Sequence, residues 1–495
     1  MDRVLLLEVV KPSDMMTKQL YLDLTFTLVF LNTKCDNIFE SRSHNDTMLP
    51  DSDVSQRASK SLDNNRKSII EMKTPNSPPS VPILVDFDGP DDPEHPHHWS
   101  IPKKISFITI VSAKIFVVSF SSSVLGPATG VISKEFNVEF VVAQLCVALF
   151  MAGFAVGPLV FGPLSEVIGN SPPMIVGCIL CALLQIPAAL TNSIVGLLFC
   201  RFLAGATGSA VLGVGTGMVA ELYTTIPRAT ALAFSVSMIN LGSTVGPIAG
   251  AYIVDRYNWR WTFWTTLIMS FALEPFACFA LRESSPKRIL AAKAKRLRSQ
   301  GKQDAFAAGD REHIDARILL TKYFLKPLKL ICKEPILIIL TIHLTFVYGT
   351  LYLAYQVLPK AFRSRGWDTP TSNLPFIAVT LGALTAPFVI VTYTMTWYSA
   401  RFRSRNSVII SEDRLPPMIL GAAGLPIGIL WFGWSGNVHW FCQVMAGWLI
   451  GLSVLLVFIS GITYLVDVYP SCSNSAVSIH VVIRSVVAAS FALWV

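Results

Sequence analysis

Charge is what this 495-residue sequence has little of: Asp, Glu, Lys and Arg make up 15% of it against 52% hydrophobic residues. Soluble domains carry about 25% charge, so a soluble globular chain is excluded. The scarcity is also uneven, since residues 167–200 and 229–254 contain no charged side chain. About 20 apolar residues suffice to cross a bilayer core.

Other signatures are missing as well. No Gly-x-x-x-x-Gly-Lys phosphate loop, His-Glu-x-x-His pair or paired catalytic signature occurs, which speaks against a nucleotide-driven pump or an enzyme. No cofactor is expected. Nine cysteines are scattered, mostly inside apolar runs, and the Cys178/Cys181 spacing within a membrane helix simply puts two small residues on one face. His95, His97 and His98 stand among prolines, without the ligand spacing of a metal site. A cleavable leader is not expected, because the apolar stretch 20–31 is too short to span and is interrupted by Asp23.

What is present is a series of spans: an all-α polytopic membrane protein. Apolar stretches fall at 105–125, 141–161, 173–190, 194–220, 230–253 and 261–281, then at 335–358, 374–397, 416–434, 440–466 and 476–495. The third and fourth separate because residues 167–200 are too long for one crossing and are broken at Thr191, Asn192 and Ser193. Residues 1–100 read as a disordered cytoplasmic tail, 101–281 as a six-helix bundle, 282–334 as a basic cytoplasmic loop and 335–495 as a second bundle of five spans.

The net charge of +8 needs no nucleic-acid partner. The 282–334 loop holds 14 Lys and Arg against 6 Asp and Glu, a surplus of 8, as suits a face near anionic lipid. With the amino terminus inside, the cytoplasmic loops carry 19 Lys and Arg and the outer loops six. Trp99, followed by Lys103 and Lys104, reads as an interfacial anchor on the cytoplasmic side.

The fifth span carries Gly242, Gly246, Pro247 and Gly250. Glycines every four residues leave one helix side bare, so that a neighbouring backbone can come close. Pro247 lacks a helical donor and predicts a bend. Between the second and third spans lies Gly162-Pro-Leu-Ser-Glu166-Val-Ile-Gly169-Asn170, a short turn bracketed by glycines with an acid near a helix start.

Five charges are candidates for function because they fall in or beside hydrocarbon. Arg201 opens Arg-Phe-Leu-Ala-Gly in the fourth span, where a central charge costs about 2.5–3.5 kcal/mol. It faces a cavity or partner, or snorkels to the interface. Lys114 and Glu274 lie deep in the first and sixth spans and can neutralise each other. Glu221 ends the fourth span, with Arg228 seven residues on; an exposed ion pair is the plain alternative there. In the seventh span Tyr348, Tyr352, Tyr355 and Gln356 share a helix face, which fits a cavity for amphipathic molecules or ordinary packing.

Taken together, these strings resemble the major facilitator superfamily, in particular its fungal drug:proton antiporters. Gly242 to Gly250 is similar to the antiporter motif of the fifth span. The Gly162 to Asn170 turn resembles the superfamily's cytoplasmic latch, with Asn170 standing where a basic residue is usual. Arg201 and Gly205 resemble a signature implicated in proton coupling. The acidic lead-in from Asp88 to Trp99, the Glu412-Asp413-Arg414 string before the ninth span, and Asp467 and Arg484 in the last two spans extend the likeness.

The resemblance implies a two-bundle fold and a proton-coupled exporter of drugs, toxins, secondary metabolites or polyamines. Arg201 would work with an acidic partner, and Glu274 would be the proton-exchanging carboxylate. Protons, lipid and a small organic substrate are the expected partners, for a monomer in the plasma membrane. A twelve-span transporter would leave the second bundle one helix short at Val495. For that reason a non-transporting paralogue or membrane sensor stands as the alternative, and solute uptake as a third reading.

Overall fold

The computed structural model describes residues 83–89, 92–223, 225–300, 305–307, 326–405, 410–469 and 473–491. Within them run α1 (Ile101–Ser123), α2 (Phe140–Ile168), α3 (Ser171–Leu183, continued by Gln185–Leu190) and α4 (Ile194–Ala210). They are followed by α5 (Thr225–Arg256), α6 (Trp261–Ala280), α7 (Pro335–Arg363) and α8 (Phe376–Tyr393). The last three are α9 (Leu415–Trp434), α10 (Trp440–Val468) and α11 (Ser473–Phe491). Ten of these segments are long and apolar enough to cross a bilayer, and α11 contributes a shorter apolar stretch, Ile479–Phe491.

Each helix lies within a few residues of the stretch expected from hydropathy. Where they start is set partly by proline: Pro102, Pro172, Pro335 and Pro416 fall in first turns, where the missing N–H costs nothing. α4 passes through a π-helical turn, Val211–Gly215, before finishing as Thr216–Glu221. α8 does the same through Thr394–Tyr398.

Two halves repeat one packing pattern. α2 lies on α4 as α8 lies on α10, and α1 lies on α5 as α7 lies on α11. The halves join along two seams, α2 with α11 and α5 with α8. Gln144 Nε2 donates to Gln356 Oε1 at 2.7 Å, from α2 to α7, and Thr380 Oγ1 of α8 donates to Thr244 Oγ1 of α5 at 2.8 Å. α1 and α10 are the most enclosed, each 78% buried over its apolar core, whereas α6 is 28% buried and forms an outer wall.

The basic end departs from expectation. Residues 83–89 and 92–100 are not a free tail. Ile83–Leu84 pairs in parallel with Ala305–Phe306, and Lys293 on the basic helix Pro286–Ser299 holds Asp88 at 2.7 Å and Asp92 at 3.5 Å. The acidic lead-in is the counter-charge of that helix, which is why it docks. Trp99 is buried with its edge on Phe107, and Lys103 Nζ sits 3.5 Å from the indole centre. Residues 1–82, the rest of the expected tail, lie outside the described residues.

A side chain at Gly246 would collide with Ser123 and the α1 backbone, whereas one at Gly433 meets open space. Gly246→Leu is therefore expected to destabilise the fold by about 1–3 kcal/mol through overpacking. Thermal melting in detergent should fall for that variant and stay unchanged for Gly433→Ala.

Candidate functional site

Arg201 does not snorkel. Its side chain is 1% exposed, and Nε donates to the Cys146 carbonyl at 2.9 Å. Nη1 donates to the Ser121 carbonyl at 3.0 Å and Nη2 to that of Ser122 at 3.3 Å. α1 ends at Ser123, so the carbonyls of its last turn lack helical partners and carry the negative end of the helix dipole. The guanidinium also stacks 4.2 Å from the Phe150 ring. An acidic partner was expected, and among the described residues none bonds to Arg201. Three carbonyls replace it, because a helix end already supplies acceptors there.

Lys114 and Glu274 do meet. The Lys114 ammonium donates to Glu274 Oε2, joining α1 to α6, and the other carboxylate oxygen is buried without a partner. Isolated charges are very costly in such surroundings, and the pairing offsets part of the cost of burying both.

The turn after α2 is held by an acid that sequence reading passed over. Gly169 has φ of +106°, a conformation that favours glycine, and a Cβ there would strike the Glu283 carboxylate. Glu283 accepts from the backbone N–H of Asn170 at 2.9 Å and of Ser171 at 3.3 Å, capping α3 from another loop. Asn170 Nδ2 donates to Glu221 Oε2 at 2.8 Å, and Ser284 Oγ donates to the same oxygen at 2.9 Å. The amide thus keeps a neutral link where a cation is usual. Gly162 lies in the last turns of α2, its carbonyl accepting from Ser165 Oγ at 2.8 Å. The Glu166 side chain lies outside the described residues.

Burial pushes the Glu221 carboxyl up to about 7; the Ser284 and Asn170 hydrogen bonds oppose the rise, and the Glu283 charge adds to it. Glu221 and Arg228 form no ion pair. Arg228 Nε instead donates to the Tyr223 carbonyl at 3.2 Å, so the plain alternative of an exposed ion pair is absent among the described residues.

Gly242, Gly246 and Gly250 face α1 at Phe116, Phe120 and Val124, each against its backbone. Pro247 sits inside the unbroken α5. The three tyrosines of α7 stack in sequence: Tyr348 to Tyr352 at 5.0 Å between ring centres, Tyr352 to Tyr355 at 5.3 Å. Tyr348 donates to Tyr352 at 3.4 Å. Tyr352 lies beside Ser122 of α1, and Tyr355 beside Ser243 of α5. They form a column between the halves, Tyr348 and Tyr352 buried and Tyr355 half-buried, with the adjacent Gln356 reaching α2.

Two further polar features lie in the second half. Arg414, at the start of α9, pairs with Asp467 at 2.9 Å and stacks 3.8 Å from Tyr398. The strings containing both were noticed, but nothing in their spacing linked residues 53 apart. His480 and Arg484 are buried in α11. Their i,i+4 spacing in an apolar run was the available signal.

A paired architecture of this kind is matched by a family model, described as Major Facilitator Superfamily, over residues 112–492. The chain belongs to the major facilitator superfamily. It is a multi-pass membrane transporter and not an enzyme. An MFS-type transporter, traF, of Penicillium crustosum is 36% identical over 423 residues, covering 84% of this chain and 85% of that one. A citrinin biosynthesis cluster MFS transporter, mrr1, of Monascus ruber is 37% identical over 424 residues, with the same coverage. The solved proton:xylose symporter XylE shares the superfamily fold, with a TM-score of 0.56 at 15% identity, over 80% of this chain and 88% of that one.

The raised Glu221 carboxyl has a measurable consequence. It favours the protonated folded state, so its contribution is full below the ordinary value of 4.5 and is lost as pH rises through about 7. Between those limits thermal stability should decline by an amount on the order of 1–3 kcal/mol. Glu221→Gln should flatten that slope; an unchanged melting profile between pH 4.5 and 7 would contradict the assignment.

Proposed function

We propose that this transporter exports small organic compounds in exchange for protons, alternating access to a site between its two halves. The classes expected are drugs, toxins, secondary metabolites and polyamines. The observation that carries the reading is the column of Tyr348 and Tyr352, both buried, and the half-buried Tyr355, where α7 meets α1 and α5. Aromatic faces with polar tips suit cargo that is part apolar and part hydrogen-bonding. Support for export comes from fungal relatives named as transporters of biosynthesis clusters. The glycine-proline string of α5 points the same way.

In this reading 101–281 and 335–495 are the moving bundles. The loop 282–334, with the acidic lead-in of the 1–100 segment, covers the cytoplasmic end of a plasma-membrane monomer whose amino terminus is inside. Arg201 ties the end of α1 to α2 and α4, so it registers any shift among them. Glu274 exchanges the proton, and Lys114 sets its charge. The turn from Gly162 through Glu166 to Gly169, with Glu221, Arg228 and Glu283, closes the cytoplasmic side. A proton moving inward supplies about 2.3 kcal/mol per 100 mV before any pH gradient is added.

Expression in yeast lacking its own pumps, with fluorescent organic dyes as cargo, tests this directly. Lower dye accumulation that a protonophore restores is expected, and equal accumulation with and without the chain would sink the reading. Arg201→Lys should lose at least roughly tenfold in export at preserved surface expression, since one ammonium cannot span three carbonyls on two helices. Glu274→Gln should alter the pH dependence of export; an unchanged dependence removes Glu274 from the proton path.

A further inference from the structure

The buried cations of the spans have found different partners, and one is conspicuously short of them. Lys114 and Arg414 have carboxylates, and Arg201 has three carbonyls. Arg484 of α11 is 5% exposed, and its Nε is buried without a hydrogen bond. What it does touch is aromatic. The guanidinium carbon lies 4.4 Å from the Tyr348 ring of α7 and 5.5 Å from the Phe458 ring of α10. One turn earlier, His480 is fully buried, and neither ring nitrogen has a partner. Among the described residues no ion pair involves either side chain.

Leaving such donors unsatisfied in a protein interior is expensive, and a buried ionisable group in a membrane span marks a site by default. The position is the right one for cargo. His480 and Arg484 fall mid-way along α11, Tyr348 mid-way along α7 and Phe458 mid-way along α10. α11 also forms one of the two seams between the halves, against α2. Tyr348 is the first member of the tyrosine column, so the cation stands at its end.

We propose that Arg484 and His480 are the acid-recognising part of the cargo site, and that the cargo is an aromatic organic acid. Its carboxylate pairs with the Arg484 fork, whose planar donors match two carboxylate oxygens. An imidazole nitrogen of His480 donates a further hydrogen bond, and the ring of the cargo lies against Tyr348 and Phe458. A carboxylate removes the cost of the lone cation as it binds, whereas a neutral or cationic compound leaves that cost in place. This inference rests on the transporter reading and narrows it to one substrate class.

The test uses the full chain in lipid nanodiscs with two probes of equal shape, 1-naphthoate and neutral 1-naphthamide. Wild type should bind the acid at least tenfold more tightly than the amide. Arg484→Gln should abolish the preference while leaving naphthamide affinity within about twofold, and Arg484→Lys should retain part of it. His480→Phe, which keeps the ring and removes the donor, should reduce the preference several-fold. Equal wild-type affinities for acid and amide overturn the proposal, as does a preference that survives Arg484→Gln. The wild-type comparison decides by itself if a variant fails to fold. Dye export without an acid preference would defeat this inference and leave the exporter reading standing; an acid preference with no export of any probe would do the reverse.

Discussion

Backbone contact between α5 and α1, permitted by Gly242, Gly246 and Gly250, is the constraint on which most of the molecule depends. Lipid tails are as apolar as leucine, so helices in a bilayer associate by close packing and polar contacts more than by a hydrophobic drive. With α1 drawn in, its free terminal carbonyls at Ser121 and Ser122 meet Arg201, and its Lys114 meets Glu274 on α6. The other sides of the same pair serve the second half. Ser122 stands beside Tyr352, Ser243 beside Tyr355, and Thr244 bonds Thr380. One glycine seam therefore sets both the charge chemistry of the first bundle and its contact with the second.

The charges divide by what they are made to do. Arg201 is held by three acceptors on two helices, so any relative movement of α1 and α2 must change its bonding. Arg414 and Asp467 join α9 to α10 at the basic end with both partners buried, which makes them a fixed tie. Lys114 with Glu274 leaves one carboxylate oxygen unused, and Arg484 Nε and both ring nitrogens of His480 are without partners. In the proposed reading, this unfinished hydrogen bonding is what separates the proton and cargo groups from those that hold the fold.

At the basic end the turn after α2 is held without the cation usual at the position of Asn170. Asn170 donates to Glu221, and Glu283 reaches from beyond α6 to cap α3. The link loses charge and retains geometry, and burial raises the Glu221 carboxyl against the Ser284 and Asn170 hydrogen bonds. Nearby, the acidic lead-in neutralises the basic helix at Lys293. The excess positive charge seen in the 282–334 loop is thus partly answered by this protein's own chain.

Spans, their order and the glycine seam were legible in the sequence because hydropathy and small-residue spacing are local: about 20 apolar residues make a helix whatever surrounds them. The family was legible for the same reason, since its motifs are short contiguous strings. Pairings across the bundle were only partly so. Lys114 with Glu274 was within reach, as two lone opposite charges in hydrocarbon need each other. For Arg201 the need of a partner was legible but its kind was not, because a helix end offers carbonyls from Ser121 and Ser122 that no side-chain pattern announces. Glu283 as the cap of α3, Asp467 as the partner of Arg414, and the isolation of Arg484 depended on which distant helices lie side by side. Sequence alone determined what must cross the membrane. Tertiary structure decided which polar groups met a partner there and which were left waiting for one, because hydrogen bonds reach only about 3 Å and the chain distance between partners carries no record of that.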